Sequence, residues 1–177
     1  IVTAEGPRLY SFAKGLAEGC SNPLEMWQNI REQLVSIGEN HRNISIPCGF
    51  LSFIYEKNRA LSNQILNDAV TDDVLGAHFL LLQSAIEIDK QGVERLKESL
   101  AKEIAPVWTY KYLALGRTHE SINDEDLCEL LRLISSKPDG LDIAVDIFDM
   151  RLYSNRDKKL EHSEILISAG QELLSQI

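Results

Sequence analysis

Apolar residues recur every three or four positions along almost the whole chain, and no stretch alternates with a period of two. Trp27, Ile30, Leu34 and Ile37 line one helical face; Val93, Leu96, Leu100 and Ile104 line another. Leu127, Leu130, Leu131 and Ile134 repeat the spacing, as do Leu166, Ala169, Leu173 and Ile177. That period places apolar side chains on one stripe of a helix. A half-buried strand needs alternation with β-branched enrichment, which is missing. The expectation is an all-α fold with no strands.

Start and stop signals agree with the period. Asn22-Pro23-Leu24-Glu25 offers an N-cap, a proline at the first helical position and an acid at the third. Asn123-Asp124-Glu125-Asp126 offers a cap and three acids where the helix dipole favours negative charge. Thr71-Asp72-Asp73 reads the same way. Gly38, Lys137-Pro138-Asp139-Gly140 and the basic run Arg156 to Lys159 read as stops. About ten helices follow, over 7–19, 23–38, 47–57, 59–70, 72–88, 90–104, 106–118, 124–136, 140–155 and 163–176. Short connections pair consecutive helices antiparallel.

The helices also alternate in character. A broadly apolar segment (Asp73 to Ile88) precedes a narrowly amphipathic one (Lys90 to Ile104), and the segments 106–118 and 124–136 repeat this order. So does the pair from 140 onward. A shift of about 35 residues lays Glu129-Leu130-Leu131 over Glu164-Ile165-Leu166. Such a pattern suits a short α-solenoid of stacked helix pairs; a closed helical bundle is the alternative.

At 177 residues, with 44% hydrophobic and 25% charged, the chain is expected to form one globular domain. It opens Ile1-Val2-Thr3-Ala4-Glu5, without Met and without a signal-peptide pattern, as a piece of a longer protein would. Acidic residues outnumber basic ones 27 to 18, for a net charge of −9. This argues against nucleic acid as the main partner, a local basic stripe apart, and against adhesion to an anionic membrane. The most apolar stretch, Val74 to Leu82, is far below the roughly 20 residues of a membrane span. Cys20, Cys48 and Cys128 are few, odd in number and far apart; they read as small buried hydrophobes in a reducing, cytoplasmic setting.

In layout the chain resembles the armadillo, HEAT and TPR class of helical repeats, although the W-x₂-L-G-x₂-Y signature of the last is absent. From Ile104 onward it carries Ser136-Lys137-Pro138-Asp139-Gly140-Leu141-Asp142-Ile143-Ala144, then Asp149-Met150-Arg151-Leu152, His162-Ser163-Glu164 and Gly170-Gln171-Glu172-Leu173-Leu174. This part is similar to C-terminal helical regions of large bacterial NTPase-type anti-phage defence proteins. The resemblance implies a sensor or docking segment attached to an effector.

No phosphate-binding loop and no G-x-S-x-G elbow occurs. His41, His78, His119 and His162 lack the spacing of a zinc site, so no metal and no cofactor is expected. Cys128 and His119 could be assembled into a nucleophile–base pair, but any chain with three Cys and four His offers such pairs; the acid pairs Asp72/Asp73, Asp124/Asp126 and Asp146/Asp149 read as caps or solvated faces. Gly15 and Gly19 have the spacing of a close helix contact. Tyr55, Tyr112, Arg117, Arg151 and Tyr153, near the ends of the apolar helices, are the candidate partner-binding residues, being of the types enriched at interface hot spots. The functional expectation is a non-catalytic protein-interaction or sensor module. The alternatives are a structural spacer or oligomerisation segment, and an enzyme with a site gathered from several helices.

Overall fold

Asn22, Asn58, Asp89, Asn123 and Ser163 each accept a hydrogen bond from a backbone N–H in the first turn of the following helix. These caps punctuate a chain whose regular elements, among the described residues, are all helical. The computed structural model describes residues 8–176. The expected helix start at residue 7, the opening pentapeptide and Ile177 lie outside them. The described chain divides into two compact units, one ending at Ile86 and one beginning at Glu87.

The first unit holds α1 (Leu9–Gly19), α2 (Pro23–Val35), α3 (Ser45–Lys57), α4 (Arg59–Ala69) and the five-residue α5 (Phe79–Gln83). Its hub is α3, which touches the other four. Every residue of α3 from Ile46 to Leu51 is buried, and Trp27 of α2 lies against Phe50 with ring centroids 6.2 Å apart. The closest approach is between α1 and α3. A Cβ on Gly49 would stand 2.2 Å from the Tyr10 carbonyl oxygen and 3.0 Å from the Ala13 Cβ. Glycine lets the two backbones meet, and Ala13 and Ala17, one turn apart and both buried, complete the narrow face. Gly15 and Gly19 do not form this contact. Both are exposed with no atom within 4 Å, because they lie on the other side of α1 from the alanines.

The second unit holds α6 (Lys90–Ala101), a 3₁₀ segment Val107–Ala114, a second at Thr118–Ser121, α7 (Asp124–Ser135), α8 (Gly140–Asp157) and α9 (Glu164–Leu174). Here α7 is the hub, packing on α6, α8 and α9 with Leu127, Cys128, Leu130, Leu131 and Ile134 buried. The Lys137–Asp139 turn tightens at Asp139, in the left-handed region at φ 57°. Gly140 follows because a Cβ there would fall 1.9 Å from the Ile134 carbonyl oxygen.

Two expected helices are replaced by irregular turns. Over 72–88 the carboxylate of Asp72 accepts from the N–H groups of Val74 and Leu75, both at 2.8 Å, and a 3₁₀ turn at Gly76–His78 leads into α5. The segment is apolar on both sides and is buried from both, so its packing does not require one continuous helix; Gly76 in mid-segment weakens that helix by about 1 kcal/mol relative to alanine. Over 106–118 the run Pro106-Val107-Trp108-Thr109-Tyr110 is rich in β-branched and aromatic residues, which disfavour the α-helix. Thr109 Oγ1 donates to the Pro106 carbonyl at 2.6 Å, and the buried Tyr110 hydroxyl donates to the Leu96 carbonyl at 2.7 Å. The three-residue turn buries Tyr110 and Leu113 and leaves Trp108 and Lys111 outside. Gly116 and Arg117, both left-handed, then break the chain direction.

The glycines of the first unit separate experimentally. Gly49→Ala is expected to destabilise by about 2 kcal/mol through overpacking of the α1–α3 crossing. Gly15→Ala, in an exposed helix interior, is expected to stabilise by about 0.5 kcal/mol. Urea denaturation of the two variants checks this, and an unchanged midpoint for Gly49→Ala would refute the close crossing.

Candidate functional site

Midway along α8, Arg151 belongs to the stripe Ala144, Ile147, Arg151 and Ser154 that faces the core of the second unit. Its Nε donates to Asp124 Oδ1 at 3.1 Å and its Nη1 to the His119 carbonyl at 3.3 Å; Nη2 meets the Ile122 carbonyl. Asp124 Oδ2 in turn accepts from the Ser163 hydroxyl at 2.6 Å. One guanidinium thus ties together the turn before α7, the first turn of α7 and the cap of α9.

His119 lies beside this network, fully buried. Its Nδ1 is 3.0 Å from the Leu113 carbonyl, which can only accept, so Nδ1 carries the proton and Nε2 is left to accept from Ser154 Oγ at 3.3 Å. A serine beside a histidine has the form of a nucleophile and its base. These two are sealed in the packed interior at 1% and 0% exposure, where no substrate reaches them, and their role is to satisfy one another. Cys128 is not His119's partner. Its thiol points to the Ile165 carbonyl at 3.7 Å among Leu166, Ala169 and Phe148, and burial raises its pKa. Burial likewise pushes Cys48 up to about 12, whereas Cys20 is only half-buried.

A groove of about 500 Å³ lies at the end of α8, lined by Asp149, Leu152, Tyr153, Arg156, Lys159, Leu160 and His162. Tyr153 is 49% exposed, and the Arg156 guanidinium lies over its ring at 5.4 Å. The helix ends in a Schellman turn, with the Leu160 N–H on the Asn155 carbonyl at 2.9 Å and the Lys159 N–H on the Arg156 carbonyl at 3.1 Å. Lys159 holds the left-handed position at φ 56°, where glycine is usual. Leu160, 56% exposed, follows it. Beside the groove, Arg117 reaches Asp157 at 2.7 Å and Lys158 reaches Glu120 at 2.8 Å. Among the described residues, neither Arg156 nor Lys159 makes an ion pair.

Of the five residues chosen from the sequence, Tyr153 and Arg117 are brought to this end of α8. Tyr112 is half-buried against Trp108 on the 3₁₀ segment, with centroids 6.3 Å apart. Tyr55 belongs to the first unit, stacked under Arg59 at 4.7 Å. Arg151 is not a surface residue, since its position on the buried stripe of α8 commits it to Asp124 and two carbonyls. Arg156, Lys159, Leu160 and His162 were passed over because a basic run at a helix end already has a role as a stop signal. Among the described residues no group of three or more His, Cys, Asp or Glu side chains is placed to hold a metal ion. No helix among them is long and apolar enough to cross a membrane.

Compared with protein-family models, curated proteins and solved structures, the chain matches none.

Removing the Arg151 guanidinium leaves Asp124 and two carbonyls without it, so Arg151→Ala is expected to destabilise by about 3 kcal/mol. A loss below about 1 kcal/mol in denaturant titration would show the network to be dispensable. The second prediction concerns pH. Burial foremost, and the nearby Arg151 charge, hold the His119 pKa below its ordinary 6.5, against the opposing pull of the Leu113 hydrogen bond. The unfolded chain therefore takes up a proton near pH 6.5 that the folded chain refuses, and stability falls as pH drops through that value toward the lower folded pKa. His78 in the first unit shifts the same way, again mainly by burial. Melting temperatures from about pH 7.5 to about pH 5.5 are expected to decline, and His119→Asn to decline less steeply. Equal slopes would show that His119 takes up its proton as readily folded as unfolded.

Proposed function

We propose that this chain is a non-catalytic protein-interaction module that docks through the end of α8 in its second unit. The observation that carries the reading is the groove there. Tyr153 and Arg156, of the residue types that dominate interface hot spots, are stacked on one another and exposed. They stand on a helix whose buried face is fixed by Arg151, so little order has to be gained on binding. The succession of the broadly apolar α8 and the amphipathic α9 is what supports a helical-repeat reading within the second unit. The resemblance from Ile104 onward supports a sensor or docking segment of a bacterial defence protein.

A second reading, an oligomerisation segment, is favoured by Ile167 and Leu174, 51% and 71% exposed two turns apart on α9. Affinity capture from a lysate of the source organism, with and without phage challenge, separates the two when combined with light scattering of the purified chain. A partner retained in stoichiometric amount by the parent and lost from Tyr153→Ala/Arg156→Glu is the expected result. Self-association without any retained partner would put the oligomerisation reading in its place.

A further inference from the structure

We propose that the groove at the end of α8 binds an acidic peptide segment of a partner protein, with carboxylates on Arg156 and Lys159 and an adjacent apolar side chain against Tyr153 and Leu160. This deepens the interaction reading above and rests on it.

Charge is the first argument. The chain has a net charge of −9, yet this groove carries two cations, Arg156 and Lys159. Arg117 and Lys158, the neighbours of the groove, have taken Asp157 and Glu120. Arg156 and Lys159 face the groove without a carboxylate of their own. The Arg156 guanidinium lies over the Tyr153 ring at 5.4 Å, and with no ion pair of its own its fork of N–H donors is of the kind that takes a carboxylate.

Backbone places the second cation. Lys159 shares the left-handed region with Glu103, Arg117 and Asp139, and the turn it makes there sets it on the groove wall.

The apolar lining decides between ligands. Asp149 in the same wall acts alike on any anion, but free phosphate would use only the two cations and ignore Leu152, Tyr153 and Leu160. A nucleic-acid backbone needs a longer basic track than two residues. A peptide that places a carboxylate beside an aliphatic or aromatic residue uses both parts. The volume, about 500 Å³, suits a short run of side chains and not a folded domain.

The test is to select a random-peptide display library on the full chain and to measure the winners, labelled, by fluorescence polarisation. Parent, Arg156→Glu/Lys159→Glu and Lys159→Gly are compared, with excess inorganic phosphate and a labelled oligothymidylate as further arms. Both substituted residues are exposed and form no ion pair, so the double variant is expected to stay folded and Lys159→Gly, with glycine at the left-handed position, to melt at or above the parent's temperature. The expected winners join acidic to apolar residues, lose about tenfold or more in affinity on the double variant, and lose severalfold on Lys159→Gly. Phosphate is expected to displace them little. Winners without acidic bias, or winners that bind the double variant as well as the parent, overturn the groove while leaving the interaction reading intact. An empty selection overturns it as well, and the interaction reading is then judged by the captured partner alone. Oligothymidylate binding that the double variant abolishes would replace the peptide with nucleic acid.

Discussion

Two arginines, Arg95 and Arg151, are buried in the second unit, and the placement of Arg151 ties its segments together. A guanidinium taken out of water is destabilising unless its donors are met, and the Arg151 fork is met by Asp124 and by the carbonyls of His119 and Ile122. The carbonyls come from the end of the 3₁₀ turn before α7, where that of His119 accepts the Ile122 N–H at 3.1 Å and still has a lone pair for Arg151. The carboxylate comes from the first turn of α7, where the dipole already favours an anion. Its second oxygen takes the hydroxyl of Ser163, so the cap of α9 is fixed by the same charge. Three chain ends that share no sequence signal are joined through one side chain.

The first unit reaches order by the opposite means. Its hub, α3, carries no buried charge; it meets α1 at Gly49 through simple absence of side chain. Polar work is left to the periphery, where Asp72 takes the N–H groups of Val74 and Leu75 and a donor from Arg31. Burial alone would raise that carboxyl's pKa, and these three donors together hold it below the usual value. Steric fit at the centre and hydrogen bonds at the turns are what allow the segment after α4 to be irregular without leaving polar backbone unmet.

Period and caps made most helices legible. Asn22, Asn123 and the Lys137–Gly140 turn act as their sequence suggests, because capping is decided within four residues. The segments 72–88 and 106–118 were misread for the same reason that they are buried: an apolar run pressed from more than one side keeps its contacts in several backbone forms, so its composition does not select one. Gly15 and Gly19 misled because spacing shows which residues share a face and not which face meets a neighbour. For Arg151 the signal was present, since residues 144, 147, 151 and 154 form one stripe, but residue type was weighed above position. The groove was not legible at all. It arises where α8 ends and the chain turns to α9, and only the folded turn sets Leu160 and His162 beside Tyr153.

That turn also relates the two roles of α8. Lys158 and Asp157 at its end are held by Glu120 and Arg117, which flank His119 in the segment that Arg151 fixes from below. The buried face of the helix and its exposed end are therefore positioned by the same short stretch of chain, residues 117–124. A shift of that stretch would move the ion pairs beside the groove and the carbonyls on Arg151 together. Arg156 and Lys159 have no bond to that stretch. They are carried on the helix end yet form no ion pair inside the unit, the combination in which a charged side chain can meet an external carboxylate without first giving up an internal one.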